Sequence, residues 1–234
     1  MKNKLAVLFA LVFPSLVTFV YFVWAKDSAS VQQFAFGVGK VMQFAFPAVW
    51  VFVVLREPFA RQAVNRRGQA IGLSFGLAIL AATLCLYVFV FKPMGLFNDT
   101  GPGSPGAMIK AKLSGCGVTA WWSYALFGTA YSLFHSFLEE YYWRWFVFKR
   151  MLPFSSLATA VTVSALGFMA HHVLVLAQFF GWNSGWTYLF SAAVAVGGAV
   201  WAWLYQRSQS LYAPWFSHAL VDAAIFLVGY DLAF

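Results

Sequence analysis

The chain has 234 residues, of which 62% are hydrophobic and 9% charged, whereas a soluble domain carries about 45–50% apolar and 25% charged residues. No core in so short a chain encloses that much apolar surface, so lipid must be part of the solvent and a water-soluble globule is excluded. The formal charge of +8 forms no basic stripe. The bases fall between hydrophobic stretches, as positive-inside topology places them, and no nucleic-acid partner is expected.

Seven stretches are long enough to span, at about 20 residues per helix: 5–24, 33–55, 70–92, 117–148, 154–180, 186–206 and 211–230. The first follows Lys2 and Lys4. Val23-Trp24-Ala25 faintly resembles a cleavage site, but the apolar run exceeds a signal-peptide core, so an uncleaved helix is expected. The second carries Lys40 at mid-span, read as snorkelling or paired rather than catalytic. The third carries Gly72 and Gly76, a spacing that lets helices pack closely. Residues 93–116 form the long connection, with a turn-rich Asn98-Asp99-Thr100-Gly101-Pro102-Gly103. Cys85 and Cys116 have no ligand spacing and read as small apolar residues.

The expected fold is therefore all-α, a polytopic transmembrane bundle of about seven spanning helices with no soluble domain. Residues 1–116 would hold three spans and the connection, and 117–234 a helical core. Lys2, Lys4, Arg56, Arg61, Arg66, Arg67, Lys149, Arg150 and Arg207 share one side, which the positive-inside rule makes cytoplasmic together with the N-terminus. Lys92, Lys110 and Lys112 are exceptions on the other side.

All four histidines lie between His135 and His218, and three of the seven acids between Glu139 and Asp222. Ionisable groups at membrane depth are costly and mark functional sites by default. They fall into three clusters: Glu139-Glu140-Tyr-Tyr-Trp-Arg144, Phe168-Met-Ala-His171-His172, and His218-Ala-Leu-Val-Asp222. Glu140 and Arg144 share a helix face, as do His218 and Asp222. Glu139, turned about 100° from Glu140, is free to face elsewhere. Around a turn at Pro153–Ser156, Glu139 and His172 are equidistant from position 155.5 and so at similar depth. Around the next turn at Gln206–Ser210, His218 and Asp222 fall near that level, all four within a layer roughly 10 Å thick. Such a chamber suits peptide hydrolysis: a carboxylate in apolar surroundings takes a proton from water, and a histidine N–H stabilises the oxyanion. No serine stands in a nucleophile-elbow setting.

Glu-Glu-x-x-x-Arg, Phe-x-x-x-His and His-x-x-x-Asp on successive hydrophobic regions, over about 118–225, resemble the type II CAAX prenyl protease family. It is also called the CPBP or Abi family of intramembrane glutamic endopeptidases. The resemblance implies Glu139 as general base, His172 as a second holder of the attacking water, and His218 with Asp222 on the oxyanion side. Phe168 and the Glu140–Arg144 pair support them. It implies no cofactor and no metal. Family members often have asparagine where this chain has Asp222, which donates a hydrogen bond only when protonated; Asp222 is then expected to orient His218. His171 is set aside, because only His172 fits the motif. His135, four residues before Glu139, reads as support or packing, and Tyr141, Tyr142 and Trp143 as packing aromatics.

The leading expectation is a metal-independent endopeptidase acting on a membrane-associated protein or peptide, lipidated or not, in a bacterial inner membrane. The alternatives are a zinc protease using His172, His218 and a carboxylate, a proton-coupled transporter, and a non-catalytic scaffold. No residue names the substrate, its cleavage sequence or the oligomeric state.

Overall fold

In a computed structural model that describes residues 2–59, 64–98, 101 and 103–234, the chain is all-helical with no strand among the described residues. Arg61, Asp99, Thr100 and Pro102, used above for topology and turn assignment, lie outside the described residues. Among the described residues, six helices are long and apolar enough to cross a membrane: α1 (Lys2–Trp24), α2 (Ala29–Val54), α3 (Arg66–Phe91), α6 (Leu157–Phe180), α7 (Gly185–Ser208) and α8 (Tyr212–Ala233).

The fourth predicted span, 117–148, is also helical. It forms α5 (Trp121–Glu140), which runs through a π-helical stretch, Tyr141–Phe148, into Lys149–Met151. It is not among the six apolar candidates because its serines, histidine, acids and arginine lower its hydropathy. The chain is an integral multi-pass membrane protein on this architecture. The long connection contains a short helix, α4 (Pro105–Gly115). Its start has the expected chemistry: the Ser104 hydroxyl accepts from the Ala107 N–H and Pro105 occupies the first turn.

The helices form two compact units, each built from two separate stretches of chain. The first comprises 1–63 and 139–211 and holds α1, α2, the π-helical stretch, α6 and α7. Helix α1 packs along α6, and α6 along α7. A Cβ on Gly198 of α7 would lie 3.3 Å from the Ala165 Cα of α6, so a larger residue would push the two apart. Tyr142 is fully buried and donates its hydroxyl to the Ala10 carbonyl of α1 at 2.8 Å. The turns at the α6 ends are well capped. Ser156 accepts from the Thr159 N–H, and Gly181 closes the far end with a positive φ of 84°. Outside the spans, Arg150 grips Glu57 with both guanidinium nitrogens at 2.6 and 2.5 Å. That grip holds the Glu57 carboxyl below its ordinary range.

The second unit comprises 64–138 and 212–234 and holds α3, α4, most of α5, and α8. The Gly72/Gly76 pair does the packing its spacing predicts. A Cβ on Gly72 would fall 2.2 Å from the Ala213 carbonyl oxygen, and one on Gly76 would fall 2.9 Å from the Ser217 Cα. Helices α3 and α8 are thus in backbone contact. Tyr87 and Lys92 both reach Asp231 at 2.6 Å, which gives one exceptional lysine an anionic partner. Trp215 donates its indole N–H to the Leu133 carbonyl at 2.9 Å and ties α8 to α5.

Candidate functional site

In the first unit, Glu139 and Glu140 occupy the last two positions of α5 before the π-helical stretch, 2% and 0% exposed. Adjacent residues leave a helix in different directions, and the two carboxylates take different partners as the pattern predicts. Glu140 Oε2 is 3.1 Å from Arg144 Nε. The arginine is itself 1% exposed, donates to the Gly198 carbonyl at 3.2 Å, and lies over the rings of Phe168 and Trp201 at 4.9 and 5.2 Å. A guanidinium between two aromatic faces and a carboxylate is held in one position, so this pair clamps the π-helical stretch to α6 and α7. π-Helical insertions are frequent beside functional sites. This one directly follows the acidic pair and carries the arginine.

Glu139 takes the other direction, toward α6. Its Oε1 is 3.6 Å from His171 Nε2. Glu139, His171 and His172 each offer a ligand atom, and these atoms lie within 4.8 Å of one another. The depth argument from the Pro153–Ser156 turn therefore corresponds to a real meeting of α5 and α6. His171, set aside on the motif, takes part in that meeting. Its ring lies parallel to the Trp143 indole, 5.9 Å away with 3° between the planes.

His172 places Nδ1 2.9 Å from the Phe168 carbonyl. A carbonyl only accepts, so this nitrogen carries the proton, and in the neutral ring Nε2 presents a lone pair. The same bond explains the Phe-x-x-x-His spacing: the carbonyl one helical turn back fixes the tautomer, while the Phe168 ring packs against the imidazole at 4.7 Å. The trio has two chemical capacities. A water accepting and donating at ordinary lengths bridges groups roughly 4–5 Å apart. One carboxylate and two imidazoles are equally a ligand set for zinc, although its bonds of about 2 Å would draw them closer together.

In the second unit, the third motif gathers around Asp222 of α8. His218 Nε2 stands 3.5 Å from Asp222 Oδ1, and His135 Nδ1 of α5 stands 4.0 Å from Oδ2. His135 is thus beside an acid that the sequence reading did not assign to it. Its ring stacks on Tyr131 with centroids 4.3 Å apart, which fixes its plane. His218 is 4% exposed, on a helix that the two glycines of α3 hold close. The aromatics after the acidic pair are packing groups, Tyr142 and Trp143 being 0% and 1% exposed.

Two polar groups of α2 belong to the first unit and carry no motif. Lys40 donates to Gln43 Oε1 at 3.3 Å, and the next residue, Phe44, packs edge-on against Tyr142 of the π-helical stretch at 6.2 Å. Their i,i+3 spacing puts the two on one helix face, but the same helix also carries Gln32 and Gln33, so the sequence did not single this pair out.

Residues 120–224 match the family model described as Rce1-like type II CAAX prenyl endopeptidases. No curated protein and no solved structure matches the chain.

Proposed function

We propose that the chain, whose residues 120–224 match the Rce1-like type II CAAX prenyl endopeptidase family model, hydrolyses a peptide bond near the C-terminus of a membrane-associated protein, using water activated by Glu139. The observation that carries this reading is the meeting of Glu139 with His171 and His172 in the buried part of the first unit. Glu139 takes one proton from the water as it attacks the scissile carbonyl. The His172 lone pair accepts the water's other hydrogen and aims the oxygen. His171, beside Glu139, is the nearest group for passing a proton toward the leaving amine. The Glu140–Arg144 pair neutralises itself and holds the π-helical stretch in place. The family pattern alone assigns His218 to the oxyanion, with Asp222 orienting it.

Purified protein in vesicles, given a prenylated peptide ending in a Cys-aliphatic-aliphatic-X box, tests this. General acid–base groups contribute about 10²–10⁴-fold. Glu139→Gln should lose at least that much turnover, and His172→Ala about 10²-fold, with both variants inserted and folded. Full activity in Glu139→Gln would overturn the assignment.

A second reading rests on the same trio. Glu139, His171 and His172 are a zinc ligand set by donor type, in place of the His172 and His218 set considered from sequence. Chelation followed by zinc restoration separates the two. Activity that survives chelation supports the metal-independent route, and activity lost with chelator and regained with zinc supports the metal.

A further inference from the structure

A lysine at the middle of a membrane span needs an account that the hydrolytic reading does not supply. Lys40 lies 11 residues after Ala29 in α2, about 16 Å along the axis. Its stem runs beside Phe36 and Phe44, the ammonium 5.5 Å from each ring centroid. One of its three N–H bonds is directed at Gln43 Oε1 at 3.3 Å. This contact also settles which way the Gln43 amide points, since an ammonium donates only to the oxygen. Gln43 is 0% exposed, and its Nε2 has no hydrogen-bond partner among the described residues. The pair therefore presents N–H donors, one set charged, and calls for an oxygen acceptor. Phe44, beside the ammonium, packs edge-on against Tyr142, three residues after Glu139, with ring centroids 6.2 Å apart.

We propose that Lys40 and Gln43 form a subsite for the free C-terminal carboxylate of the peptide substrate. The inference rests on the hydrolytic reading above and deepens it. Lipid phosphates do not supply the acceptor, because they lie outside a hydrocarbon core about 30 Å thick while Lys40 sits at about half that depth. A peptide drawn into the site does supply one. An enzyme cutting inside a Cys-aliphatic-aliphatic-X box works within a few residues of the chain end. Three extended residues span about 10 Å, so the terminal carboxylate stays near the carbonyl under attack. A cation on the helix that packs against the stretch following Glu139 is where that carboxylate would be held. Two aromatic faces near the ammonium add cation–π attraction that keeps the lysine head in place. The subsite thus explains an endopeptidase that measures its distance from a C-terminus.

The experiment compares two prenylated peptides, identical except that one ends in a carboxylate and the other in an amide. Binding is measured on Glu139→Gln protein, which holds substrate uncut, and turnover on the otherwise unaltered protein. The carboxylate form should bind about 10- to 100-fold tighter. That ratio should fall to about one in Lys40→Met and in Gln43→Glu, the latter preserving size while placing an anion in the subsite. It should persist in Lys40→Arg. Equal binding of the two peptides, binding of neither, or a ratio unchanged by Lys40→Met and Gln43→Glu would overturn the subsite. Preferential carboxylate binding without any turnover would instead keep the subsite and overturn the hydrolytic reading.

Discussion

Replacing Arg144 with methionine removes a charge from the most enclosed ion pair in the first unit. The variant keeps a side chain of similar length but strips Glu140, 0% exposed, of a guanidinium nitrogen 3.1 Å away. At an effective dielectric of 20, that separation corresponds to about 5 kcal/mol of attraction. Breaking buried pairs by removing one partner costs about 3–5 kcal/mol, since the remaining charge stays in the interior. The bond to the Gly198 carbonyl and the contacts with Phe168 and Trp201 are lost as well. The expected loss is therefore about 3–5 kcal/mol.

Glu140→Gln with Arg144→Met removes both charges and should recover much of that loss, because an apolar replacement of a buried pair is often neutral. A double-mutant cycle in detergent, read by denaturant midpoints and by retention of monodisperse protein, measures the coupling. If Arg144→Met is as stable as the parent, or the double variant costs as much as the two singles summed, the pair does not clamp the π-helical stretch. Proteolytic activity in the refolded double variant then separates a structural pair from one the chemistry needs.

Gly72→Ala places a methyl 2.2 Å from the Ala213 carbonyl oxygen, so α3 and α8 must separate and stability should fall by about 1–3 kcal/mol or more. Gly37→Ala, with nothing within 4 Å of the added Cβ, is the neutral control in the same unfolding assay. The Arg150 hydrogen bonds hold the Glu57 carboxyl below its ordinary range. Its stabilising contribution is present above about 4.5 and disappears as pH falls through the lowered folded value. Glu57 is 44% exposed, so the effect is at most about 1 kcal/mol, and Glu57→Gln should flatten the acid limb of a stability–pH curve by that amount. An unchanged acid limb would show that the fork contributes nothing in solution. In turnover, His171→Phe should lose activity while keeping its stack on Trp143 if the histidine moves a proton; unimpaired activity would assign it to packing alone.

The hydrophobic runs alone determined that the chain lives in a membrane as an all-helical bundle, because apolar segments of that length have no other way to satisfy both side chains and backbone. The motif spacings determined more than composition could. Glu140 and Arg144 pair because four residues return a helix to the same face, and Glu139 meets α6 because a tight turn at Pro153–Ser156 folds two helices back at matched depth. The Gly72/Gly76 spacing likewise anticipated a close helix contact, though not that α8 was the helix approached.

Rotation about each helix axis was not legible, and it is what brought His171 beside Glu139 and His135 beside Asp222. A run of π-helix from Tyr141 changes the angular step between residues, so ideal α-helical geometry does not carry through it. Nor did local sequence reveal the partners of Lys40. A lone cation in an apolar span reads as snorkelling until the chain is folded, when the Gln43 amide and the rings of Phe36 and Phe44 prove to be its neighbours. Sequence periodicity determines which residues share a helix face; only packing between helices decides what that face meets.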